Sequence, residues 1–125
     1  MKLLTEEIAA EVYAKAWNTL DLVEFCDLLA ENACYASQWV FEELTDKRSI
    51  SEYLTGKMQS VKERALHNPS ASVQAEVSSA RKSFPGRSCV VLKQGDSQAK
   101  AVVIFDVGDE QVKRFDLCIP ELLGF

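Results

Sequence analysis

Chemistry in this chain would have to come from a thin set of residues: a few carboxylates, three tyrosines, two tryptophans, four scattered cysteines and a single histidine. General acid–base catalysis in an apolar pocket needs a carboxylate or an imidazole whose pKa is brought towards the working pH by burial. The carboxylates best placed for this are Glu42 and Glu43, after a strand-like run, and Asp106 and Asp116, late in the chain. Asp106 stands between Phe105 and Val107, and Asp116 between Phe115 and Leu117. That alternation aims both aspartates away from the main apolar face. His67 belongs to His67-Asn68-Pro69-Ser70, which reads as a surface loop. Cys26, Cys34, Cys89 and Cys118 show no C-x-x-C spacing and no partner histidine. They read as reduced, mostly buried thiols rather than as metal ligands or nucleophiles. No serine sits in a Gly-x-Ser-x-Gly elbow, and the five glycines are too scattered to cradle a phosphate. No catalytic set, metal site or cofactor is expected.

Aromatic recognition is the chemistry that remains. Tyr13, Tyr35 and Tyr53 can offer hydroxyls, and Trp17 and Trp39 can form apolar walls or stack on a ring. Each of these side chains also reads, more simply, as a core aromatic with a hydrogen-bonded edge. Ser37 shares a strand face with Tyr35 and Trp39.

The elements that must position these residues follow from periodicity. Ile8, Val12, Tyr13, Ala16, Trp17 and Leu20 recur at helical spacing, with Thr5 as cap and Glu6 and Glu7 in the first turn, so a helix is expected over about 5–18. Asp21 and Glu24 have the spacing of a capping box before a short second helix carrying Leu22, Phe25, Leu28 and Leu29 and ending near Glu31-Asn32. From Ala33 the period becomes two, which marks a strand that bends and continues to Leu44. Ile50, Tyr53, Leu54, Met58 and Val61 restore the helical period, capped by Asp46 or Ser49. Gly56 inside this helix suggests close packing against another backbone. The second half reads as strands over 72–80, 88–94, 99–107 and 111–119, joined at Pro85-Gly86, Gly95-Asp96 and Gly108-Asp109. Short loops between consecutive strands imply antiparallel hairpins, hence an α+β fold of three helices on a curved, mostly antiparallel sheet.

At 125 residues, with 47% hydrophobic and 26% charged content, the chain fits one domain over 1–125 with its own core. No apolar run approaches the ~20 residues a bilayer needs, and the acidic start is unlike a secretion signal, so a cytoplasmic protein is expected. The net charge of −5 is concentrated in residues 1–31, where Glu6, Glu7, Glu11, Asp21, Glu24, Asp27 and Glu31 outweigh Lys2 and Lys15. Such a surface repels phosphate backbones, and no basic cluster with interleaved aromatics offsets it. Neither nucleic acid nor membrane is an expected partner.

The run Trp17-x3-Asp21-x3-Phe25-x2-Leu28-Leu29-Ala30, followed by Tyr35-x-Ser37, resembles the nuclear transport factor 2-like (SnoaL-like, cystatin-like) superfamily. Leu44-Thr45-Asp46-Lys47, Ile50-x2-Tyr53-Leu54 and Val112-Lys113-Arg114-Phe115-Asp116 are similar to its further landmarks, although members commonly carry a glycine where Asp46 stands. The resemblance covers nearly the whole chain. It implies a sheet of about six strands, curled into a cone around the first helix, with a cavity at the open end and a homodimer formed through the sheet's outer face. It also implies that isomerase-like members place their base where Ser37 stands, and serine cannot do that work unaided. The expected function is therefore binding of a small apolar or aromatic molecule by Tyr13, Trp17, Tyr35, Ser37, Trp39 and Tyr53. The first alternative is a SnoaL-like isomerase, cyclase or dehydratase acting on a hydrophobic ketone, with Glu43 or Asp116 as a displaced base. The second is an adaptor or immunity-type interaction module meeting a basic partner through Glu7, Glu11 and Glu24.

Overall fold

The computed structural model describes residues 4–37, 43–68, 73–79, 88–94 and 99–118. Helix α1 spans Glu6–Thr19, α2 spans Val23–Leu28 and α3 spans Lys47–His67. The strands are β1 (Leu29–Ser37), β2 (Val73–Ser79), β3 (Ser88–Gln94), β4 (Ala99–Gly108) and β5 (Gln111–Cys118).

Helix α1 starts where Thr5 Oγ1 accepts the Ile8 N–H at 3.1 Å, with Glu6 and Glu7 against the positive end of its dipole. It buries Ala9, Ala10, Tyr13, Ala16 and Trp17. It stops at Leu20, whose left-handed backbone (φ 56°) still donates to the Ala16 carbonyl. That turn displaces the expected capping box. Leu22, in helical geometry and without a side-chain cap bond, stands at the N-cap of α2. Asp21 instead accepts the Val23 N–H at 3.0 Å, a local turn typical of aspartate, while Glu24 pairs with Lys15 at 3.2 Å.

Strand β1 begins at Leu29, earlier than expected. Between Leu29 and Cys34 its register shifts, and the burial pattern there is two in, two out, one in. A regular period of two is therefore visible only from Ala33 onward. Beyond β1, Leu44 returns to exchange two backbone hydrogen bonds with Tyr35, at 2.8 and 2.9 Å. This is an isolated bridge, so the sheet has five strands among the described residues where about six are expected. The third helix follows β1 and this bridge, in the order its sequence position predicts.

Asp46 caps α3, with Oδ1 accepting the Ser49 N–H at 2.7 Å and Oδ2 accepting the Ser49 hydroxyl at 3.1 Å. These bonds, led by the backbone one, hold its carboxyl below the usual carboxylate range. The helix runs through His67, which is exposed and helical where a loop is expected. Gly56 differs too: it is exposed, and a Cβ built there would meet nothing within 4 Å. No close approach requires a glycine, so its cost is the backbone entropy lost on folding. Gly56→Ala is expected to stabilise the protein by about 0.5–1 kcal/mol, read as a raised melting temperature. A lowered one would mean that something covers this face in solution.

The sheet order is β1-β5-β4-β3-β2. Strands β2 to β5 form an antiparallel meander, and β1 joins its far side parallel to β5, with Tyr35 opposite Phe115 and Ser37 opposite Leu117. The β4–β5 hairpin turns at Asp109 and Glu110, both at positive φ (52° and 62°), as its tight geometry requires. All three helices cover one face. There, the rings of Tyr13, Phe25, Tyr35, Phe105 and Phe115 form one cluster, with centroids as close as 4.5 Å for Tyr35 and Phe115. The other face carries a second, smaller cluster of Cys89, Val91, Val102 and Ile104. Asn18 ties α1 to the sheet edge by imitating a strand: its side-chain amide donates to the Ala75 carbonyl at 3.0 Å and accepts the Ala75 N–H at 2.9 Å. Edge strand β2 is thereby left with fewer unpaired backbone groups.

Candidate functional site

A cavity of about 410 Å³ opens between α1, α3 and the inner face of the sheet. Its closed end is aromatic, formed by Tyr13 and Trp17 from α1 and Tyr35 from β1. Leu54 and Val61 of α3 face Val73, Leu92 and Leu117 of the sheet across it. Successive turns of α3 also bring Lys57, Ser60 and Arg64 to its wall, and Lys93 completes the rim. This volume lies within the usual range for small-molecule sites and suits one compact bicyclic or medium-chain ligand.

Two polar atoms in this wall are anomalous. The Tyr13 hydroxyl and the Trp17 indole Nε1 are buried, and neither has a hydrogen-bond partner among the described residues. Trp17 favours the ionised Tyr13 phenol slightly, but the pair falls short of a hydrogen bond. Burial, with a smaller contribution from Tyr35, pushes the Tyr13 phenol far above its ordinary value. Burial likewise pushes Tyr35 up to about 12, opposed by a hydrogen bond with Ser37. Both phenols are therefore neutral at physiological pH and able to donate. Each unpaired buried polar group costs a folded protein about 1–3 kcal/mol.

Of the residues expected at the site, Tyr13, Trp17 and Tyr35 line the cavity. Tyr53 does not; its ring packs on Tyr35 at 5.7 Å beneath the Lys57 ammonium, which lies 5.3 Å from the ring centroid. Ser37, half-buried, acts through its bond to the Tyr35 hydroxyl. Trp39 lies outside the described residues. The sequence reading missed Lys57, Ser60 and Arg64. Leu54, Lys57, Val61 and Arg64 recur at helical spacing, but a face of α3 that mixes apolar and basic residues reads equally as a solvated one.

The carboxylates considered as bases stand elsewhere. Arg114, on the face opposite the helices, binds the Glu43 carboxylate and holds Asp116 through Nη2 at 2.9 Å and Nε at 3.1 Å. Asp106 is exposed on that same face, opposite Arg114 in register. None of the described residues lining the cavity is Asp, Glu or His. Among the described residues, no three His, Cys, Asp or Glu side chains are grouped to hold a metal ion, and no helix is long and apolar enough to cross a membrane.

No family model and no curated protein matches the chain. Solved structures do. A SnoaL-like protein of unknown function from Burkholderia thailandensis superposes with a TM-score of 0.65 at 16% identity, over 94% of this chain and 98% of that one. An NTF2-like protein from Anabaena variabilis gives 0.60 at 16% identity, over 89% and 83%. An LEH-like epoxide hydrolase from M. tuberculosis gives 0.53 at 15% identity, over 94% and 84%. The chain thus has the nuclear transport factor 2-like, or SnoaL-like, fold, an α+β arrangement of helices on a mostly antiparallel open sheet. Asp46, where relatives of this fold are expected to carry glycine, serves here as the N-cap of α3.

Proposed function

We propose that the protein binds a small apolar or aromatic molecule in the cavity walled by Tyr13, Trp17 and Tyr35. The observation that carries this reading is the cavity of about 410 Å³ whose inner end is built from Tyr13, Trp17 and Tyr35, two of which carry buried polar atoms, Tyr13 Oη and Trp17 Nε1, with no partner among the described residues. A ligand with one hydrogen-bonding oxygen would reach them through a small shift of the Tyr13 and Trp17 side chains, while its body covers Leu54, Val61 and Leu117. Tyr53 and Ser37 belong to the site as supports of Tyr35. A homodimer and a cytoplasmic location go with this reading as proposals.

An epoxide hydrolase among the structural neighbours keeps an enzyme in view. The form of that alternative using Glu43 or Asp116 as base finds little support, because Arg114 holds both carboxylates on the opposite face. Naphthol titrated into the protein is expected to shift the indole N–H resonance of Trp17, and Trp17→Phe is expected to weaken its binding about five- to tenfold. An unmoved resonance at saturating naphthol, or unchanged affinity in the variant, would overturn the assignment.

A further inference from the structure

We infer that the ligand is an organic carboxylate, with its apolar body and a hydrogen-bond acceptor towards Tyr13 and Trp17 and its carboxylate at the mouth, facing Arg64 and Lys57. This rests on the pocket reading above and adds the sign of the charge and the direction of entry.

Every charged residue among the described lining is a cation, Lys57, Arg64 or Lys93, in a chain whose net charge is −5. The acids of α3 are engaged elsewhere: Glu52 pairs with Arg48 at 3.2 Å, and Glu63 accepts from the Gln59 amide at 3.3 Å. Lys93 is drawn to Glu76 at 3.3 Å, which leaves Arg64 as the main positive charge at the mouth. Arg64 makes no ion pair among the described residues, and the Lys57 ammonium is steadied over the Tyr53 ring at 5.3 Å. The described lining side chains therefore offer hydroxyls along the wall and a guanidinium and an ammonium at the mouth, and no carboxylate. A complementary ligand must bring acceptors and, at its outer end, negative charge.

A phosphate ester calls for a cradle of backbone N–H groups or several converging cations, whereas here Lys93 is drawn to Glu76 and the α3 cations stand apart. Lys57 and Arg64 stand two turns apart, about 10 Å along the helix, and one planar carboxylate suits the guanidinium fork while the ammonium adds its field. In a cleft with low-dielectric walls these charges also draw an anion in against the acidic surface of α1.

The test uses the whole chain and two matched pairs: hydroxynaphthoate with hydroxynaphthamide, and decanoate with decanamide. Each acid is expected to bind about tenfold or more tightly than its amide, with a shift of the Trp17 indole resonance, and the preference is expected to shrink as salt rises. In the Arg64→Gln, Lys57→Gln double variant the acid-to-amide ratio is expected to fall to about one. Both substitutions lie on the accessible side of α3, and circular dichroism would verify that the helix persists. Equal affinity for acids and amides, a preference that survives the double variant, or acid binding that leaves the Trp17 resonance unmoved would overturn the inference. In the first two cases, probes that still shift the Trp17 resonance would leave the pocket reading standing. Failure of all four probes to bind would remove the pocket reading with it.

Discussion

Phe115→Ala is expected to lower the free energy of unfolding by about 3–5 kcal/mol, a large part of what holds a domain of this size together. The Phe115 ring is fully buried and meets Tyr35 at 4.5 Å, Phe25 at 5.3 Å, Tyr13 at 5.8 Å and Phe105 at 6.1 Å. Those partners come from β1, α2, α1 and β4, so one side chain joins four elements. Collapse around the lost ring is resisted because β5 is hydrogen-bonded on both sides, to β1 and to β4. The check is a urea titration in which the midpoint falls and the slope is unchanged. A loss below about 1 kcal/mol would show that the aromatic cluster is not the centre of the core.

Tyr13→Phe is expected to act in the opposite sense on the unliganded protein. Deleting a buried hydroxyl that has no partner among the described residues removes a desolvation cost of about 1–3 kcal/mol, while the ring keeps its edge contacts with Phe25 at 4.9 Å and Phe105 at 5.4 Å. The variant should therefore melt at a higher temperature and bind the cavity's ligand more weakly, the pattern of a residue kept for function against stability. Loss of stability instead would show that water or a neighbouring group satisfies the hydroxyl in solution, and the case for a ligand contact there would lapse.

Much of the fold is legible in local patterns because most of its elements state their own period. The α1 stripe from Ile8 to Trp17 and the hairpin signal at Gly108-Asp109 appear in the structure as read, and of the two cap candidates for α3, Asp46 and Ser49, the structure uses Asp46. What local patterns could not state is which strands become neighbours. The antiparallel meander follows from short loops, whereas the parallel pairing of β1 with β5 joins segments most of the chain apart. The early start of β1 was hidden by the irregular register between Leu29 and Cys34. At the site, Tyr13, Trp17 and Tyr35 were readable as large aromatics on inward-facing positions. Lys57 and Arg64 were not, because a cation on an amphipathic helix looks the same in sequence whether it faces bulk water or the mouth of a cavity.

That parallel pairing also shapes how the chain comes into being. As the polypeptide leaves the ribosome, β1 emerges early with Tyr35 and its apolar neighbours, but the strand that must lie beside it, β5, is the last strand of the sheet to be made. For several seconds of synthesis the nascent chain therefore displays an uncovered edge and an unfilled hydrophobic face. Folding cannot accumulate strand by strand from the N-terminus; it waits on one late event that closes the longest loop in the sheet. Fragments that stop before Gln111 would then be clients of chaperones and proteases, not partly folded stages of the protein.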